Sequence, residues 1–128
     1  MEINNLVDLN FHRTAPRLSN SQVKKMLEQL EANIFNADWI TIGIMAPCDT
    51  RAIEALKSIT KKYASIKFVN LDSLHADGSV FLKGNQKTGN VFIRSEKGLG
   101  EGILLTCQYD EDSKESDTYG PLPLDFFS

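Results

Sequence analysis

Soft metal ligands are scarce in this chain of 128 residues: it has 2 cysteines and 2 histidines, and Cys48, Cys107, His12 and His75 never fall at CxxC or HxxxH spacing. A preformed metal site is therefore not expected, and no cofactor-binding pattern takes its place. Nothing points to an oxidising compartment, so both thiols are expected to be reduced. Positive charge is not in excess either, with 14 basic against 17 acidic residues and a net charge of −3. That balance removes the field that draws phosphate backbones or anionic lipid, so nucleic acid and membrane are not expected as partners. No apolar run approaches the roughly 18 residues of a membrane span. The opening MEINNLVDLN has neither the basic nor the apolar region of a secretory leader, and a cytoplasmic setting is expected. With 8 Gly and 4 Pro, fibrous and wholly disordered classes are excluded.

What is present reads as an ordinary globular chain, 41% hydrophobic and 24% charged, long enough to bury one core unaided. No repeat or interior linker divides it, so residues 1–128 are expected to form a single domain. Ile3, Leu6, Val7, Leu9 and Phe11 suggest a short first helix capped by Asn4 or Asn5. Ser19 and Gln22 then stand at capping-box spacing, with Leu18 placed to staple onto Val23. Val23, Met26, Leu27, Leu30 and Ile34 recur on one helical face.

In ADWITIGIMA, Ile40, Ile42, Ile44 and Ala46 alternate with Trp39, Thr41, Gly43 and Met45. Both sets are largely apolar, which predicts an interior strand, stopped by Pro47. Asp49 or Thr50 can cap a helix whose stripe is Ala52, Leu56, Ile59 and Tyr63. IKFVNLD predicts a further strand, joined by a parallel crossover if the two share a sheet. SVFLKG and NVFIRS around NQKTG predict a hairpin, and ILLTCQYD a last strand. The expected fold is α+β: a mixed, mostly antiparallel sheet of about five strands with two or three helices packed on one face.

Chemistry is most suggestive where the strand breaks into a helix at residues 47–51. Unpaired N–H groups and the helix dipole favour an anion there, and Cys48, Asp49, Thr50 and Arg51 are the candidate ligand-binding residues for a phosphate or carboxylate. The same helix start can depress the Cys48 thiol, but nucleophilic work also needs a positioned base, and no base neighbours it in sequence. Asp49 puts a negative charge where an anion would sit, so the architectural reading is favoured: a cap and a solvated arginine. Cys107 alternates with Ile103, Leu105 and Tyr109 and is expected buried and inert. His75 has acids nearby but no specific geometry. GLGEG (98–102) leads into a strand rather than a helix, so it is read as a turn. DEDSKESD (110–117) has Lys114 and Glu115 where a calcium loop needs an oxygen ligand and a glycine.

The tail TYGPLPLDFFS is too apolar for water, and Pro121 and Pro123 stiffen it into an extended arm over 118–128. Docking across its own domain is the favoured reading. The alternative presents Tyr119, Leu122, Leu124, Phe126 and Phe127 to a partner protein or to a second copy of the chain.

GILLTCQYD, the acidic loop and TYGPLPLDFF, with the earlier strand WITIGIMA, resemble a cyanobacterial family of small proteins known only as a domain of unknown function. The likeness is loose in the first forty residues and close from about residue 78. It implies a compact α+β fold and a cytosolic setting in a photosynthetic bacterium, and it brings no reaction, cofactor or catalytic residue. One departure is visible: the family pattern often carries a histidine where this chain has Pro121. The expected function is a small cytosolic binding or regulatory module acting through protein contacts. A small-anion binding protein or enzyme using residues 47–51 is the alternative.

Overall fold

Seven regular elements and one short turn arise from these patterns in a computed structural model of the protein, which describes residues 19–74, 77–97, 100–109 and 116–128. The expectations that rest on the first eighteen residues, on His12 and His75, on Gly98 and Leu99 and on residues 110–115 lie outside the described residues. Helix α1 spans Asn20–Asn36, strand β1 Trp39–Met45, helix α2 Asp49–Lys62, and strands β2 to β5 Ser79–Asn85, Val91–Glu96, Gly102–Gln108 and Ser116–Leu122. The turn is a 3-10 helix at Leu71–Ser73.

Helix α1 begins on the capping box that the sequence encodes. The Gln22 amide donates to Ser19 Oγ at 3.3 Å, and the Ser19 amide donates back to Gln22 Oε1 at 2.9 Å. Its other end is tied by a distant side chain. Gln86, in the β2–β3 turn, donates through Nε2 to the carbonyls of Ile34 and Ala37 at 2.7 and 2.6 Å, satisfying acceptors that a helix end leaves free.

The five strands form one sheet in the order β3-β2-β1-β4-β5, and all four pairings are antiparallel. A mixed sheet was expected, and the structure corrects this at one segment. IKFVNLD is not a strand. β2 pairs antiparallel with β1, with Ile42 opposite Leu82, so the residues that follow α2, 63–74 among those described, must carry the chain back along the sheet. They do so as an irregular cover: Ile66 and Leu74 are buried, and Phe68, Val69 and Leu71 pack on the core. Both edges of β1 are taken by β2 and β4, so the apolar residues of 66–72 serve burial rather than pairing. Gly84 lies directly beneath Phe68, whose ring atoms would be 2.2 Å from any added Cβ.

Both helices pack on the face that bears Ile40, Ile42, Ile44, Val80, Leu82, Ile103 and Leu105, against Leu30, Ile34, Leu56 and Ile59. Each such side chain contributes about 1.5–3 kcal/mol by leaving water. On the opposite face Thr41, Phe81, Leu104 and Thr106 are also buried, together with Lys83, only 4% exposed. The Lys83 ammonium lies 5.0 Å from the Trp39 ring centroid, and Arg94 lies 4.7 Å over Phe81. These contacts use the negative ring faces to hold cations beside the sheet. ILLTCQYD is not the last strand: Ser116–Leu122, which includes the start of the expected arm, pairs with β4 as β5 and closes one edge, and Tyr119, Leu122 and Leu124 are buried in the same core.

Candidate functional site

The break at residues 47–51 brings little together. Cys48, Asp49, Thr50 and Arg51 are all exposed. Cys48 occupies the cap position of α2 without a side-chain cap bond, and Asp49 is the first helical residue rather than the cap. Asp49 Oδ1 accepts from the Thr50 amide at 2.8 Å, so the loop's own carboxylate lies on a helix N–H that an anion would seek. Behind the loop the joint is packed shut. Ser79 Oγ accepts from the Ala46 amide at 3.2 Å and donates to Met45 Sδ at 2.9 Å. Gly78 sits there at φ +94°, where an added Cβ would come to 3.0 Å from the Ala46 carbonyl oxygen.

A cleft opens elsewhere, between the C-terminal half of α1 and the end of α2. Its volume is about 530 Å3, and Glu28, Glu31, Ala32, Phe35, Lys62 and Tyr63 are among its walls. A smaller hollow of about 150 Å3 continues past Lys62 beneath Val23, Leu27, Phe126 and Phe127. In α1, Leu30 and Ile34 are spent on the core with Met26 packed against it, so the residues one step round the helix form the rim. Glu28, Glu31 and Phe35 are spaced by three and four, which places them along one line of the helix surface. Phe35 is 77% exposed, the most exposed large apolar side chain among the described residues.

Tyr63 is the C-cap residue of α2 and only 6% exposed, and its hydroxyl has no hydrogen-bond partner. Burial pushes this phenol up to about 12, with smaller contributions from the Glu31 carboxylate and the Cys107 thiol. Cys107, fully buried on β4, is also pushed up to about 12, by burial first and by Asp117 second. Both groups stay protonated at neutral pH, which leaves neither as a nucleophile.

Next to the cleft, on the other side of Ala32, Asn33 joins three elements. Its Nδ2 donates to Asp117 Oδ2 at 3.1 Å and to the Tyr119 hydroxyl, and its Oδ1 accepts from the Tyr109 hydroxyl. A hollow of about 340 Å3 opens over Gln29, Ala32, Asn33, Asp117 and Tyr119. Burial raises the Tyr119 phenol too, and through Asn33 the cluster stitches α1 to β5. Among the described residues no three His, Cys, Asp or Glu side chains gather as metal ligands.

Of the tail residues singled out in the sequence, Tyr119, Leu122 and Leu124 lie in the protein's own core, while Phe126 and Phe127 remain half-buried at the smaller hollow. Sequence reasoning missed Phe35, Glu28 and Glu31. The signal for Phe35 was a large aromatic standing off the apolar stripe, next to Ile34.

Fold and site together define a single α+β domain, an antiparallel sheet carrying two helices on one face with an open cleft between them. The chain belongs to the family described as a domain of unknown function (DUF1824), whose profile matches residues 4–127. It is similar in structure to an uncharacterized protein from the cyanobacterium Anabaena variabilis, with a TM-score of 0.63 and 24% sequence identity over 98% of this chain and 96% of that one. This likeness is one of fold. No curated protein matches the chain. The resemblance carried by GILLTCQYD and TYGPLPLDFF is thereby borne out. No described helix is long and apolar enough to cross a membrane.

Proposed function

We propose that this protein is a small cytoplasmic binding module without chemistry of its own, which takes a partner protein in the cleft between α1 and the end of α2. One observation carries the reading: an aromatic ring 77% exposed at the mouth of a cleft of about 530 Å3. A large ring left in water costs solvation that a partner recovers, and aromatic anchors of this kind dominate protein interfaces. Glu28 and Glu31 beside Phe35 suit a segment that carries a basic residue next to an apolar one. Phe126 and Phe127 extend the apolar surface under Lys62. The two unpaired cysteines fit a reducing cytoplasm.

The test is capture from lysate of a photosynthetic bacterium with the full chain as bait, followed by affinity measurement with the recovered partner. Phe35→Ala and the pair Glu28→Lys, Glu31→Lys are each expected to weaken binding about tenfold or more, while Arg51→Ala leaves it unchanged. Binding indifferent to Phe35 would end the proposal. Loss through Arg51→Ala, with thermal stabilisation by phosphorylated metabolites, would favour a small-anion site at residues 48–51 instead.

A further inference from the structure

The cleft between the helices is negative in character. It receives the C-terminal ends of both: Asn36, the last residue of α1, and Lys62, the last of α2, stand in its walls. Such an end carries the negative pole of the aligned peptide dipoles. α2 answers its own with Lys61 and Lys62, whereas α1 has no basic residue in its last turn. Glu28 and Glu31 add two carboxylates on the α1 side, and neither has an ion pair or hydrogen bond with any described residue. Lys62 does not neutralise them, since its ammonium lies 5.9 Å from the Tyr63 ring centroid and pairs with neither. A cation from outside would complete this charge distribution.

Carboxylate pairs are common on helix surfaces, but the floor beneath this one is unusual. Tyr63 lines the same cleft, is only 6% exposed, and has a hydroxyl without a hydrogen-bond partner. Glu31 acts on that hydroxyl from the rim and Cys107 from the core, which puts it beneath the α1 wall. An orphaned phenol costs stability in the free chain, and an incoming polar group that reaches it removes the cost. Phe35, 77% exposed, adds an open ring face one turn along from Glu31. One chemical group meets all of these demands. A guanidinium has five donors in a flat fork, enough for two carboxylates and a phenol oxygen, and its plane stacks on an aromatic ring. An ammonium has three donors and no plane, and it gives up its water less readily.

We propose that the cleft takes an arginine of the partner protein, whose guanidinium pairs with Glu31 and Glu28, donates to the Tyr63 oxygen and stacks on Phe35. This rests on the cleft being the partner site. The probe is N-acetyl-arginine methylamide, titrated into the full chain and followed by amide NMR. It is expected to bind with a Kd of about 1–10 mM and to shift residues around Glu31, Phe35 and Tyr63. The capped lysine should bind about threefold more weakly or worse, and capped citrulline, which keeps the shape without the charge, should not bind up to about 50 mM. Glu31→Gln and Phe35→Ala should each weaken the arginine probe about threefold or more. Tyr63→Phe should weaken it similarly without loss of thermal stability, a split that a merely structural hydroxyl does not produce. No binding of the arginine probe, equal binding of the lysine or citrulline probe, or indifference to Glu31→Gln would each overturn the assignment. So would tighter binding of free arginine than of the capped residue, which would give the cleft to a metabolite. A partner that depends on Phe35 but on no arginine of its own overturns the arginine and leaves the cleft reading standing, whereas a partner indifferent to Phe35 ends both.

Discussion

Phe127 meets Tyr63 edge-on, with ring centroids 5.8 Å apart and planes at 75°, so the last residues of the chain are fastened to the residue that ends α2. The tail thus belongs to the core for most of its length. Deleting residues 119–128 removes Tyr119, Leu122 and Leu124 from the core and uncovers the β4 edge, and it is expected to abolish cooperative unfolding. Phe127→Ala should cost only about 1–2 kcal/mol, since the ring is half-buried and an edge-to-face pair adds modestly to burial. Urea titrations of both variants check this. A truncated chain that still unfolds in one sharp transition would contradict it.

The Tyr63 hydroxyl is buried without a partner. Tyr63→Phe removes that liability while keeping the ring on Phe127, so stability should hold or rise by about 1 kcal/mol. Chemical denaturation measures it. A loss of stability would mean that the hydroxyl does have work in the folded state.

Gln86 reaches from the β2–β3 turn to two carbonyls at the end of α1. Gln86→Ala leaves both carbonyls short of a donor in a partly buried place and should cost about 1–2 kcal/mol, whereas Lys87→Ala, whose ion pair with Asp38 is largely exposed, should cost little. Parallel melts of the two variants give the comparison.

Alkaline pH should loosen the fold. Folding raises Cys107 from 9.0 and Tyr63 from 10.0, both to about 12, so the native state holds these protons more tightly than the unfolded chain. Their contribution is complete below about pH 9 and is lost progressively as pH climbs towards 12, because the unfolded chain ionises first. The unfolding temperature should fall through that window. The double variant Cys107→Ala, Tyr63→Phe should flatten the decline, and an unchanged slope would assign it to other groups.

Local pattern made much of this legible. The Ser19–Gln22 box, the helix of the stripe from Val23 to Ile34 and the two-sided strand Trp39–Met45 stand in the structure where their spacing puts them, because capping and amphipathicity are settled within a few residues. IKFVNLD misled, since an apolar stretch that pairs and one that merely covers look the same until the neighbouring edges are known to be taken. Phe35 escaped notice for a related reason: its neighbours within the helix say which face is apolar, not where the facing helix stops.

The sequence by itself determined the class, the start of α1 at Ser19, the hairpin and the burial of Cys107. Only the tertiary structure decided that every strand pairs antiparallel, that Asn33 gathers Tyr109, Asp117 and Tyr119, and that a cleft stays open beside Tyr63. Those facts depend on residues as much as 86 positions apart, as Asn33 and Tyr119 are. Periodicity fixes which side of each element must leave water, while the choice of what it meets follows from chain connections and free strand edges that no short window contains.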